Sequence, residues 1–518
     1  MFISKDKQHI VVPYDAGLAS IVPHARDFLW NGVKMLLFPN RVEEARIARN
    51  LGFDVPTPIL TRYDWCGTKP WNIQKTTAAL LTENPRFYVL SSMGTGKTRS
   101  VLYAADWLMR TKQVRRMLVI APLSTLTPVW ERELYNLVLQ TRVRILHGSR
   151  DKRKELLAEG TDICVINHHG VAVMLSALVN AGFDLVVVDE LAVLRNRRTD
   201  LWKAINAVIS APSTRYAWGL TGSPTPNLPT DAWAQVKLLT PARTTRTFAA
   251  FRDLTMRRIS QFRWINRPEA NTLVHQVMQP AVRYTRDDVM ELPPCTTVER
   301  AVNLDPQAAH AYQLLYTKSR MLTQDTAESV TAMNEGVLQS KLLQVSCGYI
   351  YTDAKTVYAL PMGQRMKALE EVLSETDRKV LVMVPFLHAL SGISTYLRKQ
   401  GHDIAVVHGG TARGIRDKIF TAFQLGASPR IIVAHPQTLS HGLTLTQANV
   451  MVWYSPTQSN ETYEQACARI NRPGQTVKTM IVHMVATSVE RATYTRLRNK
   501  MRMQGCLLEL FHEQEKPV

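Results

Sequence analysis

Several features that would assign this chain to other classes of protein are missing from its sequence. Six cysteines are spread over 518 residues without a Cys-x-x-Cys pair, so neither a disulfide framework nor a zinc site is indicated, and we expect a reducing compartment. The first residues lack the apolar stretch of a signal peptide, and no run approaches the ~18 apolar residues of a membrane helix. We therefore expect a cytoplasmic protein that does not bind membranes.

Acidic residues are few relative to basic ones. The chain has 63 Lys and Arg against 43 Asp and Glu, a formal net charge of +20. An excess of this size favours a polyanionic partner, with nucleic acid first, although dispersed basic residues can also do no more than keep a surface soluble. A chain of this length, 45% hydrophobic, has enough residues for two or three domains.

Short apolar runs alternate with amphipathic stretches in two parts of the chain. The first part begins near residue 86 and includes "RFYVLSS", "RRMLVIAP" and "DLVVVDE"; the second follows residue 378 and includes "RKVLVMVP", "PRIIVAHP" and "NVMVWYSP". Apolar strands separated by helices are typical of a parallel sheet that is covered on both faces. The pattern predicts an α/β protein with two parallel-sheet lobes.

Composition divides the rest of the chain. We predict an N-terminal accessory module at 1–60, a first lobe at 61–241, a mostly helical insertion at 242–355, a second lobe at 356–490 and a C-terminal helix at 491–518. The module ends at the Pro-rich "FDVPTPIL", a plausible boundary. It carries no motif with a readable mechanism, so it either completes the fold or recognises a substrate or a protein partner.

A glycine-rich loop, "SSMGTGKTRS" at 91–100, lies between a predicted strand and a predicted helix. Gly94 and Gly96 allow backbone N–H groups to turn toward phosphate oxygens. Lys97 would reach the β and γ oxygens, and the Thr98 hydroxyl would hold magnesium. Ser91 stands where the usual pattern has a glycine, so the match is imperfect. The loop predicts a nucleotide site.

Two acidic residues follow the apolar run of "FDLVVVDE". The run predicts a buried strand, and Asp189 and Glu190 emerge at its carboxyl end, where such sheets bind ligands. Asp189 would position magnesium, and Glu190 would orient or deprotonate the attacking water. Alone, such a pair is often a solvated strand end; together with the phosphate loop it indicates nucleotide hydrolysis.

Two arginines, Arg469 and Arg472, lie three residues apart in "YEQACARINRPGQ", which we interpret as helical. On a helix this spacing places both side chains on one face. If the lobes face each other across a cleft, the guanidinium groups can reach the γ-phosphate and stabilise its developing charge. The alternative is a solvated basic helix.

An ordered set of segments resembles helicase superfamily 2 and, within it, the Swi/Snf-type DNA translocases. The likeness runs from about residue 65 to 490 and leads to the paired arginines. The segments are "PWNIQK", "SSMGTGKTRS", "LVIAPLSTLTPVWERE", "DELAVLRN", "GLTGSPTPNLPTDAWAQVKLL", "YTRDDVMELPP", "VLVMVPF", "VVHGG" and "AHPQTLSHGLTLTQANVMVWYSPTQSNETYEQACARINRPGQ".

The resemblance implies two RecA-like lobes, ATP and magnesium as ligands, and DNA as partner, with duplex favoured and little sequence specificity. It implies catalytic roles for Lys97, Glu190, Arg469 and Arg472, with magnesium at Thr98 and Asp189. The implied nucleotide-binding residues are Gln74, Met93, Gly94, Thr95, Gly96, Lys97, Thr98, Arg99, Asp189, Gly442 and Gln475. The nucleic-acid contacts would be Pro122, Ser124, Thr221, Ser223, His408 and Thr438. A packed structural role remains open for His408, and either stacking or core packing for Phe386.

Three departures from the family pattern stand out. Ala192 replaces the histidine that usually follows the acidic pair, which bears on how hydrolysis is coupled to nucleic-acid contact. The stretch "TLSHGLTLT" resembles the variant found in compact phage and prophage members. Little sequence follows the last motif, so we expect no appended domain on that side.

The expected function is therefore ATP-dependent translocation on duplex DNA. An unwinding or strand-annealing helicase would use the same ATP site on a different substrate. A nucleic-acid-binding regulator that keeps ATP as a structural switch is a third interpretation, and an ATPase that acts on a protein complex is a fourth. The intact Lys97, Glu190 and paired arginines argue against the switch, and the positive charge argues against the protein complex.

Overall fold

A computed structural model describes residues 1–65, 67, 69–137, 141–260, 264–288, 293–325, 332–351, 357–439, 444–472 and 474–512. Within these ranges no helix combines the length and the apolar character needed to cross a membrane.

The N-terminal module is a small antiparallel sheet with two helices, in strand order β1-β2-β4-β3. Its elements are β1 Phe2–Ile3, β2 His9–Pro13, α1 Ala16–Ile21, β3 Arg26–Trp30, β4 Val33–Pro39 and α2 Val42–Asn50. Its own small core includes Ile10, Leu36 and Phe38, all buried. Glu83 of the first lobe accepts hydrogen bonds from Thr57 (2.6 Å) and from Arg49, which anchors the module.

The first lobe is a seven-stranded parallel sheet with helices on both faces, as the alternating pattern predicts. Its helices and strands up to residue 239 are α3 Pro58–Arg62, α4 Asn72–Glu83, β5 Arg86–Val89, α5 Lys97–Arg110, β6 Met117–Ala121, α6 Arg132–Asn136, β7 Val143–Ile145, α7 Arg150–Ala158, β8 Ile163–Asn167, α8 His168–Asn180, β9 Leu185–Asp189, α9 Asp200–Ile209, β10 Tyr216–Leu220 and α10 Asp231–Leu239. Central strands such as β9 are buried on both sides of the sheet, because helices cover both faces.

The segment that follows the first lobe is helical over much of its length, as expected, but it also contributes strands to both lobes. Its elements are α11 Phe248–Thr255, β11 Met256–Arg258, β12 Trp264–Asn266, α12 Ala270–Val277, β13 Ala281–Val282, β14 Cys295–Ala301, α13 Pro306–Asp325, α14 Ala332–Ser346 and β15 Tyr349–Tyr351. Strand β13 pairs with β5 at the edge of the first sheet, in the order β13-β5-β10-β9-β6-β8-β7. Strand β14 extends the second sheet. The chain between β13 and β14 therefore crosses from one lobe to the other.

The second lobe is a six-stranded parallel sheet in the order β14-β21-β20-β17-β19-β18. Its remaining elements are β16 Val357–Ala359, α15 Gly363–Ser374, β17 Lys379–Met383, α16 Leu387–Lys399, β18 Ile404–Val407, α17 Arg413–Leu425, β19 Ile431–Ala434, β20 Ala448–Trp453, α18 Asn460–Cys467, β21 Thr479–Val485 and α19 Ser488–His512. Phe386 packs against the apolar core of this lobe, which is the core alternative left open above.

Helix α19 is shared by both lobes. Near its start, Tyr494 and Leu497 are buried in the core of the second lobe. Further along, Leu507 is buried in the core of the first lobe, and Lys500 Nζ lies 3.5 Å from Asn227 Oδ1 of that lobe. The helix therefore connects the two lobes, and its Met501 lines one cavity together with Arg283, which follows β13, and Cys295 of β14.

Candidate active site

The glycine-rich loop joins β5 to α5, between the strand and helix that the sequence predicts. Gly94 and Gly96 both have positive φ, 87° and 78°, a backbone conformation that is costly for residues with a Cβ. A Cβ on Gly96 would also lie 2.1 Å from Nε2 of Gln74. The backbone conformation therefore favours glycine at position 96, and a Cβ there would also displace the Gln74 amide.

Ser91, where the usual pattern has a glycine, connects this loop to the chain between the lobes. Its hydroxyl oxygen accepts a hydrogen bond from the backbone N–H of Tyr284 at 3.0 Å. The backbone N–H of Ser92 donates to the carbonyl of Tyr284 at 2.9 Å. The departure at position 91 thus supplies a hydrogen bond that a glycine could not make.

Lys97 is held over the loop by two backbone carbonyls. Its Nζ donates to Ser91 O at 2.8 Å and to Ser92 O at 3.1 Å. Burial lowers the pKa of the ammonium group, while the carboxylates of Glu190 and Asp189 act in the opposite direction. The charged form therefore depends on nearby anions.

Asp189 ends β9 and is oriented by the indole of Trp130. Trp130 Nε1 donates to Asp189 Oδ2 at 2.9 Å, and the backbone N–H of Glu190 donates to Asp189 Oδ1 at 3.1 Å. Burial raises the pKa of the Asp189 carboxyl, and the Trp130 hydrogen bond and Lys97 oppose that rise. Trp130 is completely buried, so its indole is a fixed donor.

Glu190 has a left-handed backbone, with φ 54° and ψ 54°. A residue with a Cβ is strained by about 1–2 kcal/mol in this region, and such strain is concentrated at functional sites. Burial, and then the neighbouring Asp189 carboxylate, raise the pKa of Glu190 to about 7, against the opposing charge of Lys97. A carboxyl group with a pKa near neutral is suited to accept a proton from water.

Arg469 and Arg472 approach the phosphate loop from the second lobe. The expectation that they lie on a helix is wrong: α18 ends at Cys467, and both arginines lie in the turn that follows. The turn still directs both side chains toward one site, because they line a cavity of about 370 Å³ shared with the first lobe. Eleven of the expected residues line this cavity: Gln74, Met93, Gly94, Gly96, Lys97, Thr98, Arg99, Asp189, Glu190, Arg469 and Arg472.

The electrostatics of the paired arginines are dominated by burial. Burial and the adjacent Arg472 lower the pKa of Arg469 to about 9. Burial and Arg286 lower that of Arg472 to about 10. The Arg469 guanidinium donates to Gln465 O at 3.0 Å and lies 3.9 Å from the sulfur of Met93 in the phosphate loop. Two buried guanidinium groups at close range create a strongly positive wall in the cleft.

Arg286 joins the phosphate loop to the turn of the paired arginines. Its Nε donates to Met93 O at 3.1 Å, and its NH1 group donates to Asn471 O, between Arg469 and Arg472. Burial lowers its pKa. This one side chain therefore bonds to the backbone of both halves of the site.

Two further contacts hold the lobes together beside the cavity. The Ser223 hydroxyl donates to Glu464 at 2.9 Å. Arg195 NH1 lies 3.4 Å from a carboxylate oxygen of Glu461. Both contacts pair a loop of the first lobe with α18.

Three expected nucleotide-binding residues are not among those that line the cavity. Thr95 is buried, and its hydroxyl donates to Ser92 O at 2.8 Å. The Gln475 amide bonds within the second lobe, with Nε2 donating to Ala448 O at 3.0 Å and to Ile470 O at 2.9 Å. Gly442 lies outside the described residues. For these residues a role in nucleotide binding stays a prediction.

The six expected nucleic-acid contacts all follow the carboxyl ends of β6, β10, β18 and β19, but they differ in accessibility. Ser124, His408 and Thr438 are half-buried, whereas Pro122, Thr221 and Ser223 are buried. Thr221 accepts a hydrogen bond from Ser223 N at 3.2 Å, which holds their loop. His408 Nδ1 accepts a hydrogen bond from Gly410 N at 3.1 Å, a structural role in its turn. For all six, contact with nucleic acid stays a prediction.

The sequence did not identify three residues whose hydrogen bonds hold other residues of the site in place. Trp130, Arg286 and Glu464 act through neighbours that are distant in the sequence, so no spacing rule identifies them. All three lie in quoted segments, Trp130 in "PVWERE", Arg286 in "YTRDD" and Glu464 in "YEQACARINRPGQ". A Trp, Arg or Glu in such a motif is a signal to look for a buried partner.

Comparison with known proteins identifies two adjoining domains. Residues 89–347 match the model of the SNF2-related domain, and residues 364–474 match the helicase conserved C-terminal domain. The chain is 25% identical to protein p41 of Acyrthosiphon pisum secondary endosymbiont phage 1, over 83% of this chain and 95% of that protein. It is also 25% identical to a protein described as a global transactivator of Orgyia pseudotsugata multicapsid polyhedrosis virus, over 79% and 84%.

Among solved structures, the SWI2/SNF2 ATPase core of Sulfolobus solfataricus in complex with duplex DNA is similar at 20% identity, with a TM-score of 0.42 over 85% of this chain and 92% of that one.

Proposed function

This chain belongs to the SNF2-related family of helicase superfamily 2, a family of ATP-dependent DNA translocases, and we propose that it hydrolyses ATP between its two lobes in order to move along duplex DNA. One observation carries the proposal. Lys97 and Glu190 of the first lobe share a single cavity with Arg469 and Arg472 of the second. A site divided in this way couples each hydrolysis event to the relative position of the lobes.

The residues around the cavity fit ATP. The loop favours glycine at position 96, so its backbone can approach a phosphate closely. In the proposal Lys97 binds the β and γ oxygens, and Arg469 and Arg472 line the same cavity from the opposite lobe. Gln74, which also lines the cavity, would contact the base.

Thr98 and Asp189 supply the hydroxyl and carboxylate oxygens that magnesium prefers. Bound there, the ion would neutralise charge on the phosphates. Trp130 keeps one oxygen of Asp189 engaged at 2.9 Å, which fixes the orientation of the carboxylate.

Glu190 accepts the proton of the attacking water in this mechanism. Its raised pKa makes it a better base than an ordinary carboxylate, yet it still ionises near neutral pH. Arg469 and Arg472 stabilise the charge that develops on the transferred phosphoryl group, a contribution worth ~10³ to 10⁵ in rate in related chemistry. Because they belong to the second lobe, turnover requires the lobes to meet.

The first test is ATP turnover with no nucleic acid, single-stranded DNA, duplex DNA and RNA. We expect duplex DNA to stimulate turnover most, and Glu190→Gln to abolish it. Glu155→Gln, at an exposed glutamate on α7 of the same lobe, is the matched control and should leave turnover unchanged. Displacement of a third strand from a triplex then measures movement.

Other outcomes separate the alternatives. A preference for single strands would indicate an unwinding helicase. Turnover that is the same under all four conditions would reject a nucleic-acid motor. ATP that binds without turnover would indicate a structural switch.

A further inference from the structure

A recess with five basic side chains lies on the first lobe, at the opposite end of its sheet from the ATP cavity. Arg86 begins β5, whose far end leads into the phosphate loop. Lys237 is near the end of α10, and Arg243 and Arg246 lie just beyond it. Arg197 completes the set. The recess has a volume of about 850 Å³, more than twice that of the ATP cavity.

The positive charge of this recess is not compensated. No carboxylate is among the residues that line it. Within the described residues, none of the five basic groups forms an ion pair of 4.0 Å or less. Arg86 NH1 is buried without a hydrogen-bond partner. Burial, and then Arg197 and Arg246, lower the pKa of Lys237, which reports crowding of like charges.

One of the four guanidinium groups of the recess is held in place by aromatic rings. Arg197 lies 5.4 Å from the ring centre of Trp202 and 5.9 Å from that of Trp233. A guanidinium group stacked on a ring keeps its in-plane N–H donors for other partners. Trp202 is itself fixed, because its Nε1 donates to Ala234 O at 2.9 Å. The recess therefore has a rigid wall as well as flexible lysine and arginine side chains.

We propose that this basic recess, formed by Arg86, Arg197, Lys237, Arg243 and Arg246, is a second nucleic-acid site that binds the phosphate backbone of a DNA segment outside the cleft between the lobes. Phosphate is the ligand that unpaired arginine and lysine clusters recognise. The volume exceeds what one inorganic phosphate needs, and a backbone presents several phosphates in a row. The proposal rests on the proposed function in so far as the ligand is DNA.

A second site of this kind would bind one arm of a branched DNA, or a distant stretch of a long duplex, while the motor engages another. The contacts would be to phosphate only, so the site would add affinity without reading sequence. It would also add to the salt dependence of binding, since each neutralised phosphate releases counterions.

The test compares two quadruple variants in DNA binding measured without ATP. The first replaces Arg197, Lys237, Arg243 and Arg246 by Gln and leaves the partly buried Arg86 intact. The control replaces four exposed basic residues of the second lobe by Gln: Lys367, Arg378, Arg398 and Lys399. Both variants lose four positive charges, so they differ only in where the charge is lost.

We expect the recess variant to bind a three-way DNA junction at least 10-fold more weakly than the wild type. Its slope of log affinity against log salt should flatten by about 3.6, since each of the four lost phosphate contacts contributes roughly 0.9. Turnover at saturating linear duplex should stay unchanged, because the ATP cavity is at the other end of the sheet.

Wild-type junction affinity in the recess variant, or an equal loss in the control, would overturn the proposal. A third result would also overturn it: the recess variant binds the junction like the wild type but is no longer stabilised against heat by inorganic phosphate. That result would identify a site for small anions. Because binding is measured without ATP, a wild type that binds the junction through the recess but shows no DNA-stimulated turnover would reject the proposed function alone.

Discussion

Glu190 combines two properties that its sequence position does not reveal, a left-handed backbone and a raised pKa. Its place after an apolar strand predicts an acidic residue at the carboxyl end of the sheet, and in the structure Glu190 directly follows β9 and lines the cavity between the lobes. The backbone conformation follows from the turn into the short helix Leu191–Leu194, and the pKa from burial beside Asp189. Both depend on the packing of distant chain, so neither could be predicted from the sequence.

The pKa of Glu190 predicts a pH dependence of catalysis. Only the carboxylate can accept a proton, and a pKa of about 7 means that its population rises about 10-fold between pH 6 and pH 8. We expect kcat/KM for ATP to rise by a similar factor over that range in the wild type and in Glu155→Gln. A flat profile from steady-state turnover would contradict this assignment of the base.

The raised pKa of Glu190 affects the stability of the fold in the opposite direction to its effect on catalysis. The native pKa of Glu190 lies above its ordinary value of 4.5, so the folded state binds the proton more tightly than the unfolded chain does. Its contribution to the free energy of unfolding is present in full below about pH 4.5 and is lost as the pH rises through about 7. Activity and stability therefore change in opposite directions near neutral pH.

Substitution of Gly96 and of Gly182 by alanine compares the effect of backbone strain alone with that of strain plus a steric clash. In Gly96→Ala the new Cβ meets both an unfavourable φ and the Gln74 amide, whereas Gly182→Ala meets a similar φ, 68°, in open space. Both changes should lower the melting temperature, because a residue with a Cβ in this conformation costs about 1–2 kcal/mol of folding free energy. Only Gly96→Ala should raise the KM for ATP, by about 10-fold or more. If both variants changed the KM for ATP equally, displacement of the Gln74 amide by the Cβ at position 96 would not explain the effect.

Among the secondary-structure elements, strands with apolar runs were predictable, including the edge strands β7 and β18, whereas the edge strands β13 and β14 were not. The strands from "RFYVLSS" to "NVMVWYSP" appear where the pattern predicts them, because burial on both faces requires continuous apolar residues. Strand β14 has the sequence "CTTVERA" and is largely exposed, so it carries no such pattern. Its assignment depends on pairing with β21, far along the chain.

The end of α18 illustrates a second limit. The apolar and acidic spacing of "NETYEQAC" predicts a helix, and nothing in "ARINRPGQ" before the proline marks an end at Cys467. The turn there places the Asn471 carbonyl toward Arg286, a long-range contact that local helix signals do not report. The conclusion that both arginines face one site was correct, although the reason given for it was not.

Arg286 should act as a positioning residue that keeps the two halves of the ATP site in register. We expect Arg286→Gln to lower DNA-stimulated kcat by about 10-fold, since hydrogen bonds from a charged donor contribute roughly 1.5–3 kcal/mol. Basal ATP binding, followed with a fluorescent analogue, should change much less, because Lys97 and the loop remain.

Arg116→Gln is the matched control for this change. Arg116 also donates to two backbone carbonyls, Thr161 O at 3.1 Å and Ala181 O at 2.6 Å, but both belong to the first lobe. Its loss should lower the melting temperature and leave kcat almost unchanged. If both variants lose turnover in proportion to their stability, Arg286 has only a structural role.

Over the whole chain, the contacts between the lobes should be as important as the residues that touch ATP. The pair formed by Arg195 and Glu461 is partly exposed, so its static contribution is small, but it connects a first-lobe loop to α18. We expect Arg195→Glu and Glu461→Arg each to lower DNA-stimulated turnover by about 5-fold. The double variant should recover most of this loss, as a double-mutant cycle measures. Additive losses would show that the two side chains do not act on each other.

The two-lobe architecture could be predicted, and so could the set of residues from both lobes that share one cavity, because each depends on motifs that are continuous in sequence. The closeness of Ser223 to Glu464, and the path of α19 into the first lobe, could not. Both are contacts between residues that are more than two hundred positions apart, and no short-range pattern specifies them. The N-terminal module is a small antiparallel sheet with two helices, and its recognition of a substrate or a protein partner stays a prediction.

Helix α19 has a mechanical consequence for the motor. The chain crosses between the lobes once from β13 to β14 and again along α19, whose two ends are buried in different cores. Met501 of α19 lines one cavity together with Arg283, which follows β13, and Cys295 of β14, so the two connections lie next to each other. Two connections at one edge limit complete separation of the lobes. We expect them to act together as a hinge, so that the lobes open and close about this edge during the ATP cycle.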